Sequence, residues 1–195
     1  MTNSHKPVTG IILAGGKSSR MGVDKGLAEL NGKPLVAWVI KSLQTVCSHL
    51  IIISHNENYH QFGFQVYADI HKDSGPLGGI FTGLVNSTTD YNLVVACDMP
   101  YIPPEFLNQL VRFVADYSIV VPSINGRFEP LCACYQKNTR FKMEELLSQN
   151  VCKMQKVIRE FTYKEIKIED IAIDPHIFAN INTPDELKQS RLRKN

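Results

Sequence analysis

Short apolar runs alternate with stretches of helical periodicity along the chain. Residues 8–13, 50–53 and 93–96 are apolar runs of the kind expected for strands that are covered on both faces. Residues 64–68 are a shorter candidate strand. Strands that alternate with helices indicate parallel pairing. We therefore expect an α/β fold, a three-layer, Rossmann-like, open and mostly parallel sheet with helices on both faces.

Prolines and apolar residues at steps of three and four mark the predicted helices. Pro34 opens the first, whose apolar positions are Leu35, Trp38, Val39, Leu43 and Val46. Further helices are predicted at about 79–85, after Pro103 and Pro104, near 138–147 and near 153–161, with a last strand near 164–168. The apolar segments 119–121 and 130–135 bracket Asn125-Gly126, a strong turn signal that predicts an antiparallel strand here.

A glycine-rich basic loop, L-A-G-G-K-S-S-R-M-G-V-D-K, comes directly after the first strand. Gly15 and Gly16 lack a Cβ, so the backbone there can adopt positive φ and bring its N–H groups against a phosphate. Lys17, Arg20 and Lys25 can supply positive charge to the same anion. The composition predicts a nucleotide triphosphate site; the alternative is an ordinary turn with solvated basic residues.

This loop differs from two better-known glycine loops. A Walker A loop requires glycine five residues before Gly16, where this chain has Ile11, although Lys17 and Ser18 match its second half. A dinucleotide-binding loop requires G-x-G-x-x-G at the start of a helix, whereas the glycines here are adjacent. A charged stretch then extends to Pro34 before any helical period begins, which predicts a long loop that folds over its ligand.

The chain resembles the molybdenum cofactor guanylyltransferases (MobA family), within the nucleotidyltransferases that carry L-A-(A/G)-G-x-S-x-R-M-G-x-x-K. Later motifs of that family occur in the same order: G-P-L-G-G-I at 75–80, C-D-M-P at 97–100, E-P-L-C-A at 129–133 and N-I-N-T-P-D-E at 180–186. Gly15 in place of alanine, Asp24 and the final N-x-N-T-P favour the guanylyltransferase branch. The resemblance implies one nucleotide-diphospho-sugar transferase-like domain over residues 1–195.

The resemblance also implies a reaction and its substrates. GMP would be transferred from GTP to the phosphate of molybdopterin or Mo-molybdopterin, with release of pyrophosphate. By this resemblance, the residues that bind GTP are Leu13, Ala14, Gly15, Gly16, Lys25, Asp69 and Asp98. Those that bind molybdopterin are Gly78, Gly79, Glu129, Asn180 and Asn182. The resemblance further implies partners in cofactor delivery or molybdoenzyme maturation.

Three residues are the candidates for catalysis: Arg20, Lys25 and Asp98. The two cations would stabilise the leaving pyrophosphate, unless they are solvated surface residues. Asp98 leaves a buried strand into Met99-Pro100, where no helix can start at once, so its carboxylate is expected in the cleft as a ligand of Mg²⁺. Asp98 and Asp69 could instead cap helices or hold loops. Asn182 is a weaker candidate for a second metal contact.

Family members commonly have an asparagine after the second strand, where this chain has Ser54, His55 and Asn56. This departure leaves the nucleotide contact at that position open. Cys132 and Cys134 share a strand face, but no C-x-x-C pair or histidine cluster accompanies them, so core packing is favoured over metal binding.

Bulk properties narrow the class of protein. A net charge of +2 is too small to indicate nucleic-acid binding. Neither an apolar run long enough for a membrane span nor a signal peptide is evident. The five cysteines form no C-x-x-C pair, which suits a reducing compartment. We therefore expect a cytoplasmic protein without membrane partners.

Two alternative functions stay open from the sequence. The first is a related nucleotidyltransferase that uses CTP or a sugar-phosphate acceptor. The second is a non-catalytic nucleotide-binding module that keeps the loop but lacks the metal site.

Overall fold

The computed structural model describes residues 6–15, 24–181 and 186. Its strands are β1 (Val8–Leu13), β2 (Glu29–Leu30), β3 (Lys33–Pro34), β4 (His49–Ile53), β5 (Gln65–Tyr67), β6 (Tyr91–Ala96), β7 (Ile119–Ile124), β8 (Arg127–Phe128), β9 (Cys132–Gln136) and β10 (Tyr163–Lys167). Its α-helices are α1 (Leu35–Gln44), α2 (Gly75–Asn86), α3 (Pro104–Phe113), α4 (Thr139–Ser148) and α5 (Met154–Val157). Short 3-10 helices occupy Lys25–Leu27, Glu57–Phe62, Ile158–Glu160, Ile168–Asp170 and Pro175–Phe178.

The central sheet has the strand order β10-β7-β9-β6-β1-β4-β5, with β8 paired to β7. The pairs β1–β4, β1–β6, β4–β5 and β7–β10 are parallel, whereas β9 is antiparallel to both β6 and β7. Asn125 and Gly126 both have positive φ and close the β7–β8 hairpin. The predicted mostly parallel sheet and its antiparallel strand are therefore confirmed.

Helices cover both faces of this sheet because adjacent residues of β1 point to opposite sides. Ile12 packs with Val39 of α1 and Phe106 of α3 in one apolar cluster. Ile11 packs with Ile80 of α2 in the second cluster, which also includes residues of α4. These two clusters, separated by the sheet, give the predicted three layers. Within the described ranges, no helix has the length and apolar composition that crossing a bilayer requires.

Two local expectations differ from the structure. α2 begins at Gly75 rather than near residue 79, because the Gly-Pro-Leu-Gly-Gly sequence weakens the helical signal although Pro76 is acceptable in the first turn. The stretch up to Pro34, expected to be one long loop, contains the 3-10 helix Lys25–Leu27 and the β2–β3 hairpin. The hairpin turn uses positive φ at Asn31 and Gly32.

Candidate active site

A cavity of about 950 Å³ opens where the parallel strands end. Leu13 of β1 lies opposite Ile53 of β4 and Ala96 of β6, so these three strands end at the same level. The residues that follow them therefore meet at one edge, the usual ligand site of an open parallel sheet. The cavity is lined by many of the residues assigned from the sequence: Leu13, Ala14, Gly15, Lys25, Asp69, Gly79, Asp98 and Asn180.

Two residues assigned to molybdopterin do not line this cavity. Gly78 is buried in α2, where a Cβ would come within 2.8 Å of the His71 carbonyl oxygen, so close packing accounts for glycine there. Glu129 is half-buried, and its backbone N–H donates to the Pro122 carbonyl oxygen at 2.8 Å. Their contact with the acceptor stays a prediction. Three further candidates lie outside the described residues: Gly16, Arg20 and Asn182.

Lys25 and Asp98 form an ion pair at the cavity. The Lys25 Nζ lies 3.6 Å from the Asp98 Oδ2, and the Asp98 side chain is only 15% exposed. Burial raises the pKa of the Asp98 carboxyl above its usual range, and the Lys25 ammonium offsets this only in part. The Asp98 carbonyl oxygen accepts the Ile181 N–H at 3.0 Å, which brings Asn180 to the cavity. The site therefore holds a carboxylate that a further cation would stabilise.

Asp69 is a second carboxylate at the same edge. Its Oδ1 is buried and has no hydrogen-bond partner among the described residues, while its Oδ2 lies 3.8 Å from His55 Nε2. Burial raises the pKa of Asp69, and His55 opposes the shift. The residues before α2 and α3 are Ser74 and Pro103, so neither Asp69 nor Asp98 caps these helices.

Gly15 does not have the predicted backbone conformation. Its φ lies outside the left-handed region, and an added Cβ would be 3.5 Å from Asp69 Oδ2, an ordinary contact. The preceding Ala14 N–H still donates to the Ile53 carbonyl oxygen at 2.9 Å, so the backbone leaves β1 along its extended path. The prediction of positive φ is wrong for Gly15; Gly16 lies outside the described residues.

The segment directly after β4 contributes to the cavity. Its departure from the family pattern had left its contact with the nucleotide open. Ser54, His55 and Asn56 all line the cavity. The Ser54 hydroxyl donates to the Ala14 carbonyl oxygen at 3.0 Å, and the Asn56 side-chain amide donates to Asp24 Oδ2 at 3.0 Å. These contacts were missed from the sequence. Their signal was the position of residues 54–56 directly after a buried parallel strand.

Cys132 and Cys134 lie in the core. Both side chains are fully buried among apolar residues, and burial raises the pKa of both thiols, so each behaves as a small neutral apolar group. Across the part of the chain that the structure describes, no group of three or more histidine, cysteine, aspartate or glutamate side chains could hold a metal ion.

The fold and the position of the cavity, at the carboxyl edge of a mixed, mostly parallel sheet, are those expected of a nucleotidyltransferase domain. Residues 10–166 match the family model of the MobA-like NTP transferase domain. The chain belongs to this family.

Individual relatives agree with this assignment. Proteins of Clostridium perfringens and Natranaerobius thermophilus, both named as probable molybdenum cofactor guanylyltransferases, are 40% and 35% identical to this chain. Each alignment covers 94% of this chain, with 96% and 95% of the respective relative. The crystal structure of molybdopterin-guanine dinucleotide biosynthesis protein A from Archaeoglobus fulgidus superposes with a TM-score of 0.80 at 25% identity, over 95% of this chain and 97% of that one.

Proposed function

We propose that this protein transfers GMP from GTP to the terminal phosphate of molybdopterin or Mo-molybdopterin and releases pyrophosphate. The names of its relatives indicate guanylyl transfer to the molybdenum cofactor. The charged residues at the cavity are suited to binding a nucleoside triphosphate. The observation that carries the proposal is the Lys25–Asp98 pair, 3.6 Å apart, at a cavity that Gly15 also lines. A cation and a largely buried carboxylate at one cavity suit a metal-bound polyphosphate.

The residues of the chain act through charge and alignment. A phosphate oxygen of the acceptor attacks the α-phosphorus of GTP, and the bond from that phosphorus to the bridging oxygen breaks as pyrophosphate leaves. Because the acceptor phosphate is already ionised near neutral pH, no protein base has to remove a proton. Lys25 neutralises charge on the triphosphate and on the departing pyrophosphate, which otherwise repel the acceptor.

The Asp98 carboxylate is suited to bind Mg²⁺. The carboxylate is largely buried, and burial raises its pKa more than the Lys25 ammonium lowers it. The lack of a larger acidic cluster in the described ranges is compatible with Mg²⁺, which is typically held by one or two carboxylates plus substrate phosphates. Bound Mg²⁺ would supply charge neutralisation at the phosphates.

The size of the cavity suits a nucleotide substrate. Small-molecule pockets usually measure roughly 300–1,000 Å³, and about 950 Å³ is at the upper end of that range. Gly15, Lys25 and Asp69 line the part of the cavity that we assign to the nucleotide. Gly79 and Asn180 line the part that we assign to the pterin acceptor. The division of the cavity between the two substrates is part of the proposal.

The test is pyrophosphate release by the purified protein with Mg²⁺ and molybdopterin, in parallel reactions with GTP and CTP. We expect release with GTP and formation of molybdopterin guanine dinucleotide, identified by mass spectrometry. Preferential use of CTP would favour the related nucleotidyltransferase instead. Binding of GTP without pyrophosphate release would favour the non-catalytic module.

A further inference from the structure

The carboxylate of Asp24, directly before Lys25, is held by donors on both of its oxygens. The Gly26 backbone N–H donates to Oδ1 at 3.1 Å, and the Tyr59 hydroxyl donates to the same oxygen. The Asn56 side-chain amide donates to Oδ2 at 3.0 Å. Two of these donors come from the segment after β4, which is remote from Asp24 in the sequence. A carboxylate bound on both oxygens by separate elements is fixed in position.

The Tyr59 side chain, which supplies the hydroxyl donor, is enclosed by the core. It is fully buried and its ring packs against Phe62, with ring centroids 6.2 Å apart. Its hydroxyl also contacts the thiol of Cys97, the residue before Asp98, and burial raises the pKa of Tyr59, so the hydroxyl keeps the proton that it donates. An added Cβ on Gly26 would overlap this hydroxyl, so glycine is required for the close approach.

The Asn56 donor connects Asp24 to the start of the glycine-rich loop. The Asn56 backbone N–H donates to Ser54 Oγ at 3.1 Å, and that hydroxyl donates to the Ala14 carbonyl oxygen at 3.0 Å. A continuous series of hydrogen bonds therefore runs from Ala14 through Ser54 and Asn56 to Asp24. Ala14 and Asp24 stand on either side of the residues that form the loop, so this series sets the distance between its ends.

The hydrogen bonds of Asp24 affect the position of Lys25, the next residue in the chain. Asp24 is the N-cap of the 3-10 helix Lys25–Leu27, so fixing its carboxylate fixes the backbone from which the Lys25 side chain extends to within 3.6 Å of Asp98. A lysine side chain has considerable rotamer freedom, and its reach depends on where its backbone is held. We propose that Asp24, held by Tyr59 and Asn56, is a positioning residue that places Lys25 at the reacting phosphates. This inference rests on the proposed guanylyl transfer.

The first experiment removes one hydroxyl. Tyr59→Phe keeps the buried ring and deletes the donor to Asp24, and Tyr135→Phe is the matched control, because Tyr135 is also fully buried and its hydroxyl donates to the Pro130 carbonyl oxygen at 2.8 Å. We expect Tyr59→Phe to lower kcat/KM for GTP by about 10- to 100-fold, as small misplacements of reacting groups do. The KM for molybdopterin should stay unchanged, and Tyr135→Phe should retain wild-type kinetics.

The second experiment tests the route through Lys25. The dissociation constant of GTP is measured by calorimetry for wild type, Tyr59→Phe, Lys25→Ala and the double variant, a quantity that does not require turnover. If Tyr59 acts through Lys25, Tyr59→Phe weakens GTP binding in the wild-type background and changes it by less than about twofold in the Lys25→Ala background. An equal factor in both backgrounds overturns the proposal, because it means that Tyr59 affects GTP binding independently of Lys25.

The third experiment tests Asp24 itself. Asp24→Asn turns one acceptor oxygen into a donor, and Asp174→Asn is the control, because Asp174 caps the 3-10 helix Pro175–Phe178 in the same way, accepting the His176 N–H at 2.9 Å. We expect a kinetic loss only for Asp24→Asn. Equal effects of the two substitutions, with wild-type protein active, overturn the positioning role and leave the transferase intact. Wild-type protein that is inactive with GTP overturns the proposed function itself.

Discussion

Replacing Asp98 by asparagine removes a largely buried charge that lies beside Lys25. At 3.6 Å the attraction between the two charges is about 5 kcal/mol for an effective dielectric constant of about 20. The pKa of Asp98 is raised nevertheless, so desolvation of its carboxylate outweighs that attraction. The charged carboxylate therefore destabilises the folded protein when no ligand is bound, and we infer that it is kept for function.

Asp98→Asn should consequently change activity and stability in opposite directions. Loss of the metal-binding charge should lower turnover at least ~100-fold. Without ligand or metal, the unfolding temperature near neutral pH should rise by a few degrees, since each kcal/mol corresponds to about 2–4 °C in a domain of this size. Turnover is measured by pyrophosphate release, and stability by calorimetry.

The pH dependence of that stability difference has a defined sign. Because the folded-state pKa of Asp98 is raised above 3.8, its reference value, the native state binds the proton more tightly and stability falls as pH rises between these two values. The advantage of Asp98→Asn should be full above the folded pKa and absent below 3.8. Asp170→Asn, at an exposed aspartate, is the control and should show neither effect. Near-wild-type turnover, or lower stability of Asp98→Asn at neutral pH, would refute the reasoning.

Three further variants test the packing. Gly15→Ala should leave the unfolding free energy within about 0.5 kcal/mol of wild type in urea denaturation, because among the described residues its Cβ meets only an ordinary contact with Asp69. Gly83→Ala should lower it by about 1–3 kcal/mol, because its Cβ would overlap Ile11 of β1; an unchanged value would mean that α2 can move away from the sheet. Replacing Cys132 and Cys134 by alanine should lower stability by a similar ~1–3 kcal/mol without changing the metal content of the protein, and loss of a bound metal would contradict their place in the core.

The sheet could be predicted from the sequence because its strands are buried. Residues 50–53 and 93–96 are continuous apolar runs, and these became β4 and β6 with boundaries shifted by at most two residues. The start of α2 could not be predicted, because Gly75, Gly78 and Gly79 are poor helix formers. Close packing requires Gly78, whereas Gly75 has positive φ, and both Gly75 and Gly79 line the cavity.

The charged residues of the site were predictable, but the contacts that orient them were not. Lys25, Asp69 and Asp98 follow from the loop composition and from the rule that ligands bind at the carboxyl ends of parallel strands. The hydrogen bonds of Asp24 to Asn56 and Tyr59 join residues more than thirty positions apart. No local pattern in the sequence specifies them, because they depend on how the 3-10 helix Glu57–Phe62 and its N-cap Asn56 pack against Asp24 and Gly26.

The most direct test of the central claim is a crystal structure of the protein with Mg²⁺ and a non-hydrolysable GTP analogue. We expect the triphosphate at the carboxyl edge of the sheet, with the Lys25 Nζ in contact with its phosphates and the Asp98 carboxylate bound to the metal ion. A triphosphate bound away from both Lys25 and Asp98 would contradict that claim.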